Sequence, residues 1–336
     1  MANPSIILYH YQYSPYARRV VWYLALRGIP YSQCIQPPMM PRPDVSRLGI
    51  SYRRIPILSI DRDVYLDTRL QIPKLEALFP ELPRLGATDA DQLAVERLLS
   101  SFTTDSGLFG KAVQLLPTDL PLLQDPAYFR DRGDFIGGRL SAEGMDAARP
   151  EALGEVSRAF ELLETTLLAD GRDWILKTAQ PSLADIEAVW PFHWLMGIPG
   201  ALPEDRFSPA AFPRVYAWVR RFQGAVSAAK KKAGKPATLT GEAAAQAILQ
   251  APFGEGERAV DLGDAVVVAS GLRRGDRVRV WPTDTGSSGR DEGVLVGIDS
   301  REVVYETGEA GSVVRVHAPR HGFRVKKQAL DGNSKL

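Results

Sequence analysis

Three short segments in the first 68 residues constrain this chain more than anything else in it: Ser14-Pro15-Tyr16-Ala17-Arg18-Arg19-Val20, Arg54-Ile55-Pro56-Ile57-Leu58 and Asp67-Thr68. The first follows an apolar, strand-like run, Ile6-Ile7-Leu8, and opens a stretch in which Val20, Val21, Leu24 and Ala25 recur at helical spacing. Pro15 suits the first helical turn, where its missing N–H would be unpaired anyway. Ser14 then stands at the positive end of a helix dipole, as an ordinary cap or as a hydroxyl donor to an anion. The second segment lies between a polar loop and a strand. The third precedes a helical stretch that contains Pro73, so the helix there is predicted to kink or to start later. The spacing of the three is that of a βαβ…ββα unit.

In that order the segments resemble the N-terminal domain of cytosolic glutathione transferases, above all the serine-type, tau- or omega-like classes, whose motif reads Ser-Pro-Phe/Tyr-x-x-Arg-Val. The resemblance implies an α/β thioredoxin-like domain followed by an all-α helical domain, and a glutathione co-substrate. A free thiol with a pKa near ~8.5 is only a few per cent ionised at neutral pH, so a site that favours the thiolate accelerates its attack. Ser14 is the catalytic candidate, because a hydroxyl and a helix N-terminus both stabilise the charged sulfur. Tyr9 is a rival, since other classes use a tyrosine near the end of the first strand. The resemblance also implies a cis Ile55-Pro56 bond, with the Ile55 backbone pairing with the cysteinyl residue. Arg54 would meet the glycyl carboxylate. Asp67-Thr68 stands where the family usually shows Glu-Ser: the acid would take the γ-glutamyl amino group, and the hydroxyl with the helix N-terminus its carboxylate. Tyr11, Tyr13, Leu99, Phe102 and Thr103 would line the electrophile pocket between the domains. Family members are mostly homodimers.

Composition narrows the alternatives. The net charge of +1 gives no basic footprint for nucleic acid or anionic membrane, and no run approaches the ~20 apolar residues of a membrane span. With no basic-then-apolar N-terminus, a soluble, unsecreted protein is expected. The single cysteine, Cys34, can form no internal disulfide and reads as a packed thiol of a reducing compartment. The C-terminal Ser334-Lys335-Leu336 reads as a peroxisomal address, recognised by an import receptor, with a cytoplasmic location as the alternative.

Along the chain, residues 1–82 read as the thioredoxin-like domain and 88–228 as the helical one. Asp89-Ala90-Asp91 opens a helix with Leu93, Val95, Leu98, Leu99 and Phe102 on its apolar side, and a second long helix is expected from Glu151 to Ala169. Ser182 and Asp185 form a capping-box pattern of the kind that opens the family's buried core helix. Phe212 to Phe222 reads as the last helix, and Lys230-Lys231-Lys232 as the start of a solvated linker, 229–258, in which Thr240 caps a short helix. In residues 259–330 the period changes to two, with β-branched runs at 276–281, 293–298, 302–305 and 312–316, which predict a small all-β, barrel-like accessory domain before a 331–336 tail. Pro319 between His317 and His321 argues against a paired metal site, and no metal is expected.

These observations predict a glutathione transferase that adds the thiolate to an apolar electrophile or reduces an organic hydroperoxide. A glutathione-dependent isomerase or lyase is the enzymatic alternative. The other alternative is a non-catalytic glutathione-binding regulatory or scaffold protein acting through the β domain. Removing residues 237–336 would spare turnover in the first two and abolish partner binding in the last.

Overall fold

A computed structural model of the chain describes residues 4–309 and 312–328; the expected address Ser334-Lys335-Leu336 lies outside the described residues. The N-terminal unit runs β1 (Ile6–His10), α1 (Pro15–Arg27), β2 (Ser32–Ile35), α2 (Pro43–Ser46), β3 (Ile57–Ile60), β4 (Asp63–Leu66) and α3 (Thr68–Leu78). β1 pairs with β2 in parallel and with β3 antiparallel, and β3 pairs with β4 antiparallel, which is the thioredoxin-like arrangement expected. Alternation along the strands splits the interior in two. Ile6, Leu8, Leu58 and Ile60 pack with Val20 and Leu24 of α1, Leu75 of α3 and the helical domain. Ile7, Tyr9, Ile57, Val64 and Leu66 face the other way, into a second core. α3 starts at Thr68 and runs through Pro73, so the later start is not observed. Asp67 caps it by accepting from the Arg69 N–H at 3.0 Å, which fixes the first turn before the proline is reached.

The helical domain comprises α4 (Ala90–Thr104), α5 (Leu108–Val113), α6 (Pro126–Ile136), α7 (Ala142–Leu162, followed by a π-helical turn, Leu163–Leu167), α8 (Leu183–Met196) and α9 (Pro213–Ala233). Asp89 caps α4 as expected, but Leu98 is 69% exposed and belongs to no apolar face. α7 begins nine residues before the expected Glu151, because Ser141 caps it and accepts from the Gly144 N–H; Gly144 and Pro150 disguised its first turns. The box at α8 forms: the Ser182 N–H and hydroxyl both donate to Asp185, which also accepts from Trp218 Nε1 at 2.9 Å. Lys230, Lys231 and Lys232 are the last turn of α9, not a linker. The stripe Val215, Trp218, Val219, Phe222 and Val226 carries the helix past Phe222, and cations suit its carbonyl end.

The 229–258 segment is structural as well. β5 (Ala237–Thr238) adds to β2 in parallel, and α10 (Gly241–Gln250), capped by Thr240, buries Ala244, Ala245 and Ile248 in the second core. After α11 (Ala265–Ser270) come β6 (Arg277–Pro282), β7 (Asp291–Ile298), β8 (Glu302–Thr307), β9 (Val314–Pro319) and a fifth strand, β10 (Phe323–Lys327), that the sequence pattern did not single out. The antiparallel strands are those expected, but they do not close into a separate barrel. β9 docks in parallel on β4, with Val64 opposite Val316 and Tyr65 opposite His317, giving one ten-stranded sheet in the order β10-β6-β7-β8-β9-β4-β3-β1-β2-β5.

A buried ionic cluster welds that seam. The His317 ring lies between two carboxylates, bonding Glu302 through Nδ1 and Asp63 through Nε2, both at 2.9 Å, and stacks on Tyr65 at 4.5 Å. The other Asp63 oxygen accepts from the Gly254 and Glu255 N–H groups, while Lys74 and Arg258 pair with Glu302. Burial alone would raise the Glu302 carboxyl, but His317 and the neighbouring cations outweigh it and bring it down to about 2. Cys34 is buried, and burial together with Asp44 pushes its thiol up to about 11. Among the described residues no helix is long and apolar enough to cross a membrane, and no group of three or more His, Cys, Asp or Glu is arranged to hold a metal ion.

Candidate functional site

The three segments meet at one end of the N-terminal sheet, tied by side chains. β1 ends at His10, the chain turns as the Ser14 N–H donates to the Tyr11 carbonyl, and Ser14 caps α1 by accepting from the Ala17 N–H at 3.2 Å. That bond uses a lone pair and leaves the hydroxyl hydrogen free to donate. Arg19, fully buried one turn on, donates to Thr68 Oγ1 at 2.7 Å and pairs with Glu187 of α8, so it joins α1 to the start of α3 and to the helical domain. The Ile55-Pro56 bond is cis. Gln71 of α3 donates to the Pro56 and Tyr65 carbonyls, both at 2.9 Å, and so holds that loop against the helix.

Asp67 sits at φ +65°, where a residue with a side chain costs about 1–3 kcal/mol. Two guanidinium groups hold it there: Arg54 Nη1 at 3.3 Å and Arg69 Nη1 at 3.2 Å, both on Oδ2. Burial would raise this carboxyl, yet Arg69 and Arg54 outweigh it and hold it below its ordinary value. Three protein hydrogens on a carboxylate with about four acceptor sites leave room for one more donor. Arg69 also pairs with Asp105, which His321 approaches at 3.4 Å, and Arg54 also pairs with Asp284. An alternating chain, Asp284–Arg54–Asp67–Arg69–Asp105–His321, therefore crosses this end of the molecule, with both termini supplied by the β strands' loops. Arg54 is thus not the unengaged cation that its sequence position implies: it is tied to Asp67, Asp284 and the Thr285 carbonyl.

Other expected residues fall elsewhere. Tyr9 points into the second core with no hydrogen-bond partner, and burial, with Cys34 and Asp44 nearby, pushes its hydroxyl far above the usual range; it lies on the face of the sheet away from Ser14's helix. Leu99 and Thr103 are core, not pocket lining: Thr103 donates to the Glu187 carbonyl and accepts from Trp190 Nε1. Phe102 packs half-buried against the same core. Tyr11 and Tyr13 lie together, ring centroids 4.9 Å apart, with Tyr13 half exposed, and α6 brings Tyr128 and Arg132 into their electrostatic neighbourhood.

Sequence reasoning missed Asp291 altogether. Fully buried on β7, it accepts from the Ser51 and Tyr52 N–H groups and from the Tyr305 hydroxyl, and so fixes the backbone just ahead of Arg54-Ile55-Pro56. Arg53 beside it pairs with Asp131 and Asp134 of α6 and donates to Ser288. Apart from Tyr305, 14 residues from Asp291 on the neighbouring strand, their partners lie from about 80 to 240 residues away in sequence, so no local pattern marks them.

Comparison with known proteins agrees with the fold. Residues 8–83 match the family model described as the N-terminal domain of glutathione S-transferase. The chain has a glutathione transferase fold. A GST-like protein from Pseudomonas syringae superposes on it with a TM-score of 0.66 and 24% identity, over 96% of this chain and 99% of that one. The β-etherase LigF from Sphingobium sp. strain SYK-6 gives 0.53 at 17% identity, over 68% and 99%, and a glutathione S-transferase from Sinorhizobium meliloti 1021 gives 0.50 at 19%, over 68% and 92%. The likeness spans about two thirds of this chain in the last two cases and nearly all of it in the first. Residues 111–231 match a domain of unknown function, DUF7962. No curated protein matches the chain.

Proposed function

We propose that the chain is a glutathione-dependent transferase that uses the Ser14 hydroxyl and the N-terminus of α1 to hold the glutathione sulfur as a thiolate. The observation that carries this is the set of bonds gathering the three segments: Arg19 to Thr68, Arg54 to Asp67, and Gln71 to the Pro56 carbonyl. On this reading the γ-glutamyl carboxylate lies at the Thr68 hydroxyl and backbone N–H, at the start of α3, its amino group takes the acceptor site left on Asp67, and the cysteinyl backbone pairs with Ile55. The thiolate then adds to an apolar electrophile beside Tyr11, Tyr13 and Tyr128. With an organic hydroperoxide, it instead yields the alcohol while two glutathiones become the disulfide.

Thiolate absorbance of bound glutathione against pH tests this. Ser14→Ala should raise the bound thiol's pKa by about one to two units, at ~1.4 kcal/mol each. An unchanged titration in that variant sinks the assignment to Ser14. The likeness in fold to a β-etherase keeps a second reading in play, in which glutathione opens an ether or returns unchanged from an isomerisation. Product analysis separates them: ether opening leaves the glutathione thioether together with the released phenol or alcohol, isomerisation returns free glutathione, and the transferase reading leaves an addition conjugate with no released alcohol or, with a hydroperoxide, the disulfide. Binding of glutathione with no turnover on any substrate would favour the regulatory reading.

A further inference from the structure

The loop between β6 and β7, Thr283 to Arg290, comes from the C-terminal strands, yet it ends on Arg53 and Arg54 beside the site. Arg54 Nε donates to the Thr285 carbonyl at 3.0 Å, Nη2 to the same carbonyl at 2.7 Å and to Asp284, and Nη1 to Asp67 at 3.3 Å. The Nε/Nη2 edge is one of the two faces a guanidinium offers to a carboxylate in two-point contact, and here the loop has taken it. The loop is held in place from both sides. The Gly286 N–H donates to the Phe135 carbonyl at 2.6 Å, and at φ +72° a Cβ there would stand 3.2 Å from the Phe135 ring. A Cβ on Gly289 would stand 2.5 Å from the Ser51 oxygen. Ser288 accepts from Arg53 at 3.0 Å, and Arg290 lies over Trp281 at 4.8 Å.

We propose that Asp284 is a specificity determinant of this site: with the Thr285 carbonyl seated across the Nε/Nη2 edge of Arg54, the Asp284 carboxylate on Nη2 places a negative charge where the free C-terminal carboxylate of a peptide thiol would reach that edge. The site therefore favours peptide thiols whose corresponding end is uncharged. This rests on the glutathione reading above. The Asp284 side chain is 60% exposed while Arg54 is nearly buried, so the aspartate end of the pair is the one a ligand can displace. Displacement is opposed because Asp284 is tethered, with an effective concentration on the order of millimolar, and because a ligand carboxylate beside it meets a like charge.

Calorimetric titration of the full-length protein with glutathione and with its glycyl monoethyl ester tests the proposal. The wild type should bind the ester at least as tightly as the acid. In Asp284→Ala the acid should gain about three- to tenfold over the ester, the scale of an exposed ion pair plus a removed repulsion. Asp284→Asn, which keeps the loop's shape, should give the same change in ratio, so a folding defect in the alanine variant cannot imitate the result. A wild type that prefers the acid more than about tenfold, or an acid-to-ester ratio unchanged in both variants, overturns the role of Asp284 and leaves the glutathione reading standing. If neither ligand binds any of the three proteins, the glutathione reading itself fails, and this inference with it.

Discussion

Asp291 gives the sharpest physical prediction, because it is fully buried and its three partners are all hydrogen donors with no cation among them. Burial raises its carboxyl from 3.8 to about 6, against the opposing pull of the Ser51 and Tyr52 N–H groups and the Tyr305 hydroxyl. The folded state therefore holds this proton more tightly than the unfolded chain does. Its contribution is fully present below pH 3.8 and is lost as pH rises through about 6. At ~1.4 kcal/mol per unit, the loss across that window is roughly 3 kcal/mol as an upper bound. Asp291→Asn keeps one oxygen for the two backbone donors and removes the charge. Urea unfolding of both proteins should show the asparagine variant gaining on the wild type as pH goes from 4 to 7, by about 1–3 kcal/mol. The comparison matters because Glu302, lowered to about 2, contributes with the opposite sign: its stabilisation is lost as pH falls from 4.5 toward 2, equally in both proteins. A stability difference between variant and wild type that stays constant from pH 4 to 7 would refute the reasoning.

His317→Ala should cost about 3–5 kcal/mol, since it leaves the buried Asp63 and Glu302 carboxylates facing each other without the ring between them; chemical denaturation measures it. Asp67→Ala should weaken glutathione binding with little change in turnover at saturation, because the amino group it holds is not at the reacting sulfur; a fall in kcat at constant affinity would contradict that role. Arg19→Lys should lower thermal stability and loosen glutathione binding together, because lysine's single ammonium replaces a guanidinium that reaches both Thr68 and Glu187; calorimetry and a melting curve read the two effects.

Where the chain's local signals were strong, the sequence was readable. Ser14-Pro15, Asp89, Ser182 with Asp185 and Thr240 each cap the helix expected of them, because capping is decided within four residues. Errors arose where local and distant demands diverge. Lys230 to Lys232 look like solvated coil, yet a helix end accepts them once α9 is anchored by Trp218 and Phe222. Thr103 and Leu99 resemble pocket lining by position, but the Trp190 and Glu187 groups that claim Thr103 lie on α8, over 80 residues on. Arg54 reads from its position as a cation for the glycyl carboxylate, while its engagement by Asp67 and, across some 230 residues, by Asp284 and Thr285 is encoded by no periodicity. The strand runs after residue 270 were visible as alternation; their docking on β4 was not, since an edge strand's pattern does not name its partner.

That docking changes what a truncation can prove. Cutting at residue 237 reads, from the sequence, as the removal of an accessory domain from an intact enzyme. In the folded chain it strips β9 from the β4 edge and β5 from β2, and opens a core in which Ile7, Tyr9, Ile57 and Val64 pack with Ile248, Val303 and Val316. It also removes both carboxylate partners that the β strands supply around Arg54 and the Ser51 backbone, Asp284 and Asp291, and leaves the buried Asp63 without His317. A truncated protein that lost turnover would report the collapse of the cis-Pro56 loop as readily as a scaffold's lost partner. The transferase fold and the C-terminal strands share one sheet and one core, and their separate contributions to function are accessible through single side chains on the shared seam, not through the cut.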